Sequence, residues 1–464
     1  MGRTVQRRHL VAWLAAGLCL LLIPRPALPA TAPAAPPVQP APPIVVLLSW
    51  DGVRADYLDR PAVAHLPALQ RMQRQGARAA GLRAGWPSST FTGHANLATG
   101  AWAERHGIVD NQFIDRRRGA FDRGDASSWL QAEPLWITVE RQGVAAATFF
   151  WVGSEGDWRG QRQRHRIAPF DSDVDEPAKV RQILAWLDLP PPQAPRLIMS
   201  WWHGADDAGH AHGPDSPEVD AALREQDAAL GQLLAGIDAR RLWPRLTLVL
   251  VSDHGMAAVE RAVDVRGWLD EEGIPARVSA GSAVAHLFLE RSADTLRVER
   301  GLKKLGLRTF RNADVPPAMR LRHVTRTGDL VVVANPPLAL HDLGLLERPA
   351  FRFLRWCCDY RTGAHGYDPA LPAMHGVLLA LGRGVAPGAR LPVQVQVDVA
   401  PTVAHLLGIA PPRDAVGRPI LALSPARVPA RAPAAPAGGR VDRTNHAASR
   451  PGDHGYNSCR TSPP

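Results

Sequence analysis

The chain has 464 residues, 45% of them apolar, a length that exceeds what one ordinary core serves and predicts a large domain with an added smaller unit. Its formal charge of +10 is concentrated at the ends: Arg3, Arg7, Arg8 and Arg25 stand without any acid in the first 41 residues, and six arginines face two aspartates in the last 40. A near-neutral body argues against nucleic-acid binding through a charged face.

Residues 1–30 read as a secretory signal, with basic residues ahead of an apolar run from Leu10 to Ile23 and small residues at Ala27, Ala30 and Ala32. About 14 apolar residues are too few to span a bilayer, so no membrane anchor is expected after cleavage. Cys19 leaves with the signal, and the mature cysteines Cys357, Cys358 and Cys459 form no disulfide framework. An exported but disulfide-poor chain points to a periplasmic or secreted protein of bacterial type.

Residues 31–43 form an Ala/Pro linker. The run Ile44-Val-Val-Leu-Leu48 predicts a buried strand with Asp51 just past its end. Helical spacing covers Pro61 to Gln75, and a further helix is expected over Thr92 to Ala98, behind Thr90. Helix and strand then alternate: Leu135–Gln142, Ala145–Trp151, Val180–Leu187, Arg196–Trp201, Glu218–Ile237 and Leu246–Val251. That rhythm predicts an α/β fold, a mostly parallel sheet with helices on both faces, with sites at the carboxyl ends of its strands. The rhythm breaks at residues 259–362, read as an inserted α+β subdomain with strands Ala276–Ser279, Ala283–Glu290 and Leu330–Ala334 and a helix Ala293–Leu305. Residues 44–258 and 363–424 make the two parts of the catalytic domain, closed by Val377–Leu381 and Asp398–Leu407. Residues 425–464 are Ala/Pro/Arg-rich, patternless and expected to be disordered.

Six groups recur beside these apolar runs. Asp51, Asp253 and His254 make one mixed carboxylate and imidazole set suited to zinc. Asp206 and His210 make a second, with Gly209 read as a tight turn and His365 as a third ligand from far along the chain. His203 and His212 flank the second set and could bind metal too, but read rather as solvent-facing or as supports behind the ligands. A hydroxyl near neutrality needs a metal or a base to attack, and two metal sets make Thr90 a metal-bound nucleophile; it reads equally as a helix N-cap, and both roles can hold. Asn111, in what reads as a turn after a strand, can donate its amide to a phosphate oxygen.

The ordered motifs, Asp51-Gly, Thr90-Phe91 with His94, Thr99-Gly100, His106-Gly-Ile-Val-Asp-Asn111, Phe150-Trp-Val-Gly-Ser-Glu155, Asp206-x-x-Gly-His210 with Gly213-Pro214, Ser252-Asp-His-Gly-Met256 and His365-Gly-Tyr-Asp368, resemble the nucleotide pyrophosphatase/phosphodiesterase family of the alkaline phosphatase superfamily. The resemblance spans about Ile44 to Leu407 and implies an alkaline-phosphatase-like fold. It implies two Zn2+ per chain, one held by Asp206, His210 and His365 and the other by Asp51, Asp253 and His254. It makes Thr90 the nucleophile that forms a covalent threonine intermediate, and Asn111 the oxyanion-stabilising group. Phe91 is implied to stack on a nucleobase, with Trp201 as its partner or as packing at its strand end. The family often has Lys-Thr-Phe-Pro-Asn-His where this chain has Ser89-Thr-Phe-Thr-Gly-His94, which alters the loop and keeps the hydroxyl. Trp151 to Glu155 is similar to diesterases, and no Lys-x-Arg pair of the related monoesterases is found. The expected substrate is a small phosphodiester or nucleotide. A phosphomonoesterase or phosphonate hydrolase on the same scaffold, or an inactive binding homologue, is the alternative; a sulfatase would need Cys or Ser in place of Thr90.

Overall fold

The strand Ile44–Trp50 is buried along its whole length, and its alternate side chains feed two different apolar clusters. Val45 and Leu47 face one layer, while Ile44, Val46, Leu48 and Trp50 face the other. A strand covered on both faces has no polar side to show, which is why it reads as an uninterrupted apolar run. In this computed structural model the described residues are 41–341 and 362–423. The signal segment, most of the linker, Cys357, Cys358 and the tail lie outside them.

Ile44–Trp50 sits between Leu246–Val251 and Leu197–Trp202, parallel to both, in an eight-stranded sheet. Ala146–Phe149 and His165–Ile167 extend it in parallel on one side. On the other side Leu378–Gly382 runs antiparallel, followed by Ala77–Ala79 and Ala389–Leu391. The result is an α/β fold with a large, mostly parallel central sheet and helices on its faces, as expected. Side chains such as Leu47 are fully buried, so Leu47→Ala would cost about 2–5 kcal/mol.

Caps explain several helix boundaries. Asp175 and Ser216 accept N–H groups at the starts of Glu176–Leu187 and Pro217–Ala239. The spacing over residues 61–66 does not become helix, because Pro67 holds Leu66 extended and the helix begins only at Pro67–Gln75. Its first N–H groups, at Ala68 and Leu69, are satisfied from the neighbouring long helix by the buried carboxylate of Asp227. The strand expected to reach Trp151 stops at Phe149, since Phe150 turns into the left-handed region at φ 56°.

A second, wholly antiparallel sheet orders Ala276–Ala280, Val284–Leu289, Leu330–Val333 and Arg308–Arg311, and packs on the helices Val265–Glu271 and Thr295–Lys304 through its own apolar cluster. The short strand Ala257–Val259 pairs antiparallel with Thr362–Ala364. That pairing carries His365 back beside the segment that follows His254.

Candidate active site

Asp51 directly follows its strand, and Asp253 and His254 follow Leu246–Val251, so the parallel pairing of the two strands sets these side chains together at one carboxyl edge. Gly52 takes φ 68°, and a Cβ there would stand 2.7 Å from Asp206 Oδ1 and 2.9 Å from Asp206 Cα; only glycine allows that approach. Asp206 and His210 are not on a tight turn. They lie one turn apart on the helix Gly204–His212, on the same face by helical spacing. Gly209 serves packing instead: the helix lies so close to the strand Thr362–Ala364 that a Cβ on Gly363 would fall 2.4 Å from Gly209 O.

Two clusters of donor atoms result, each within 4.8 Å: Asp51, Asp253 and His254, and Asp206, His210 and His365. The structure therefore brings together all six residues singled out from the sequence, in the same two sets. His203 and His212 join neither: His203 lies 3.6 Å from Asp207 and against Phe170, and His212 is exposed at the helix end. The three ligand-type imidazoles share one arrangement. Nδ1–H of His210, His254 and His365 donates to the carbonyls of Gly363, Gly255 and Ser88, at 2.9, 2.9 and 3.0 Å. That leaves each Nε2 lone pair to face the carboxylates.

The electrostatics of the naked cluster are unfavourable. Burial and mutual repulsion push Asp51 and Asp253 well above the usual carboxylate range, and burial pushes Asp206 to about 6. Burial holds His254 down to about 3, and burial with two neighbouring imidazoles holds His365 well below its usual value. Asp51 Oδ1, Asp206 Oδ1 and Asp253 Oδ2 are buried without a hydrogen-bond partner. Three orphaned carboxylate oxygens facing three Nε2 lone pairs fit a pair of divalent cations.

Thr90 is the first residue of the helix Thr90–Thr99, with Ser89 in the N-cap position. Its hydroxyl is therefore free of capping and lies 3.2 Å from His254 Nε2. Buried His94 ties this helix to the inner set: Nδ1 lies 2.8 Å from Thr90 O and 3.4 Å from Asp253 Oδ2, while Nε2 meets Ser49 Oγ at 2.9 Å. Asn111 precedes the strand Gln112–Asp115 and does not follow one. Its Oδ1 accepts the Phe91 N–H at 2.9 Å, so its NH2 is the end left for another partner.

A cavity of about 880 Å³ opens over these groups, lined among others by Thr90, Phe91, Asn111 and Trp201. The Trp201 indole N–H donates to Asp51 Oδ2 at 2.7 Å, an orienting bond that the sequence does not reveal. Among the described residues lining the cavity, the most exposed aromatic is Phe170, 41% exposed and packed on Trp201 at 4.8 Å. Phe170 escaped the sequence reading, since a phenylalanine after Pro169 in an irregular segment carries no periodic signal. The antiparallel sheet also reaches the cavity, through Ala280, Gly281 and Ser282.

A sequence model of the "Type I phosphodiesterase / nucleotide pyrophosphatase" family matches residues 45–368. The chain belongs to this family. Ectonucleotide pyrophosphatase/phosphodiesterase family member 5 of Homo sapiens is 28% identical over 380 residues, covering 80% of this chain and 76% of that protein. Venom phosphodiesterase CdcPDE of Crotalus durissus collilineatus is 29% identical over 355 residues, 73% of this chain but 41% of the venom enzyme. Among solved structures, murine ectonucleotide pyrophosphatase/phosphodiesterase 5 superposes with a TM-score of 0.71 at 26% identity, covering 79% of this chain and 96% of that one. An inactive variant of the murine protein, solved in complex with AMP, matches with the same TM-score of 0.71 at 25% identity over 80% of this chain and 96% of that one. As a member of this metal-dependent family of pyrophosphatases and phosphodiesterases, the chain is a phosphoric diester hydrolase.

Proposed function

We propose that this enzyme is an exported two-zinc phosphodiesterase/nucleotide pyrophosphatase that works through a covalent intermediate on Thr90. The observation that carries the reading is the Thr90 hydroxyl, uncapped at a helix start and 3.2 Å from His254, beside two carboxylate and imidazole sets with orphaned oxygens. Zinc held by Asp51, Asp253 and His254 and by Asp206, His210 and His365 would supply Lewis-acid charge for the phosphoryl oxygens and favour the alkoxide form of Thr90.

Thr90 Oγ1 attacks phosphorus in line, the bond to the leaving oxygen breaks, and water later hydrolyses the phosphothreonine to restore the hydroxyl. Asn111, its carbonyl engaged by Phe91 N–H, turns its NH2 toward a non-bridging phosphoryl oxygen as charge grows there. The N-terminus of Thr90–Thr99 favours the anion in the same place. Phe91 and Phe170 offer rings for a nucleobase, and Trp201 backs Phe170 while holding Asp51. The AMP complex of the murine relative supports a nucleotide as the substrate class. Export rests on the signal-like residues 1–30; no described helix is long and apolar enough to cross a membrane.

The test compares kcat/KM for the nitrophenyl ester of thymidine 5′-monophosphate with that for nitrophenyl phosphate, using zinc-loaded protein and Thr90→Ala as control. A large ratio, with both activities lost in the variant, is expected. A ratio below one would reassign the enzyme to monoesters.

A further inference from the structure

Gln396 lies beyond residues 45–368, the stretch that the family model matches, and does not line the cavity. Its side chain is nevertheless fully buried and bonds three segments that build the site. It opens the short turn Gln396–Asp398 ahead of the helix Val399–Leu407. Its Oε1 accepts Gly85 N–H at 3.2 Å and the Asn96 amide at 3.0 Å, and its Nε2–H donates to the carbonyl of Asp253.

The orientation of each amide in this chain of bonds is fixed by the backbone at its two ends. Ile108 N–H can only donate, so His106 Nδ1 accepts it at 3.1 Å and the ring proton stands on Nε2. Nε2–H donates to Asn96 Oδ1 at 2.9 Å, which turns Asn96 Nδ2 toward Gln396 Oε1. That aims Gln396 Nε2 at Asp253 O, a group that can only accept. His106, Asn96, Gln396 and Asp253 are all fully buried, so a reversed amide would set like groups face to face with no water to relieve them. The result is a one-way relay from the segment that leads to Asn111, through the nucleophile helix, to the loop that carries Asp253 and His254.

The last link bears on the geometry of the site. Asp253 O is also where the nucleophile helix rests on that loop: a Cβ on Gly93 would stand 2.7 Å from this oxygen and 2.9 Å from Asp253 Cβ. Gly93 follows Thr90 by three residues on the same helix, and the Thr90 hydroxyl lies 3.2 Å from His254 Nε2. A shift of the Asp253 carbonyl therefore moves the inner ligands against the helix that carries the nucleophile. We propose that Gln396 is a positioning residue that, by holding Asp253 O and Asn96 together, sets the inner ligand loop against the nucleophile helix. It acts through these groups and touches neither substrate nor reacting atoms. The proposal rests on the two-ion reading and on Thr90 as nucleophile.

Gln396→Met keeps the length of the side chain and deletes its bonds without burying a charge. With zinc-loaded enzyme and the nitrophenyl ester of thymidine 5′-monophosphate, it is expected to lower kcat by about tenfold or more with KM little changed. A kcat that is normal once scaled to the folded fraction would show support of the fold alone and overturn the proposal. The second readout is zinc affinity by chelator competition. In His210→Ala, which retains the inner set, adding Gln396→Met is expected to weaken the ion by about tenfold; in Asp253→Ala, which retains the outer set, it should change nothing. Equal weakening in both backgrounds, or none in either, would contradict the assignment. Asn96→Leu removes the neighbouring link, so its loss combined with that of Gln396→Met should be smaller than the product of the two; independent losses would break the relay. Should Gln396→Met not fold, Asn96→Leu in the same two backgrounds carries the test, with the same expected loss confined to the inner ion. Wild type that binds no zinc, with kcat still lowered in Gln396→Met, would sink the two-zinc reading and leave the positioning role standing.

Discussion

The two ligand sets are chemically alike and physically different. His254 is fully buried and Asp51 nearly so, both on loops at the ends of strands inside the sheet, whereas the side chain of His210 is 38% exposed on a surface helix. The inner set is anchored by central strands that cannot move without opening two apolar layers. The outer set depends on one helix lying close to a short strand that returns from far along the chain. On the two-ion reading, the difference predicts that an inner ion exchanges more slowly than an outer one.

The largest expected effect contrasts ligands of the two sets. Asp253→Ala should remove the inner ion and lower kcat/KM by about 10³-fold or more, while Thr90→Ala should abolish turnover and leave two ions per chain. His210→Ala should remove only the outer ion, with measurable recovery when zinc is raised. Metal analysis of each purified variant checks this, and equal retention in Asp253→Ala and His210→Ala would break the comparison.

A smaller effect comes from packing alone. Gly363→Ala cannot be accommodated without moving the helix backbone at Gly209, which displaces His210. The outer ion should then bind about tenfold more weakly or worse in a chelator competition, with the inner one unaffected. On the inner side, Trp201→Phe deletes the bond to Asp51 and keeps most of the ring. Inner-ion affinity should drop by about tenfold, and an outer-ion change instead would contradict the orienting role.

The smallest effect lies at the end of the short helix Ala103–His106, between the nucleophile helix and Asn111. His106 donates from Nε2 to Asn96 Oδ1 and accepts Ile108 N–H at Nδ1; burial, with Arg326 and His323 nearby, holds it down to about 3 from 6.5. The folded chain refuses a proton that the unfolded chain takes up below 6.5, so this stability is present above that pH and is lost as pH falls toward 3. Unfolding free energies from urea titrations at about pH 7 and pH 5 should differ by about 2 kcal/mol from this group, and less in His106→Gln. No difference between His106→Gln and wild type would remove the imidazole from the account.

These effects also mark what the residues alone disclose. Ile44–Trp50 and Leu246–Val251 were legible because strands buried on both faces must be apolar throughout, and Asp51 and Asp253 were legible because they interrupt those runs at their ends. The helix Gly204–His212 was not, since two glycines lower its propensity and tertiary packing on Gly363 and Met256 holds it. Leu378–Gly382 reads like any buried strand, and its reversed direction comes from pairing that no local pattern encodes. Phe170 sits on an irregular segment and packs on Trp201, so its place at the cavity emerges only with the fold. Asn111 was found as a residue but not as an oriented amide, because the bond from Phe91 that turns it spans 20 positions.

The most direct measurement is mass spectrometry of zinc-loaded enzyme quenched in acid during turnover of the nitrophenyl thymidine 5′-phosphate ester. A thymidylate adduct on the peptide containing Thr90, absent from Thr90→Ala, is the expected result. Full turnover in Thr90→Ala, or an adduct on another residue, would contradict the account.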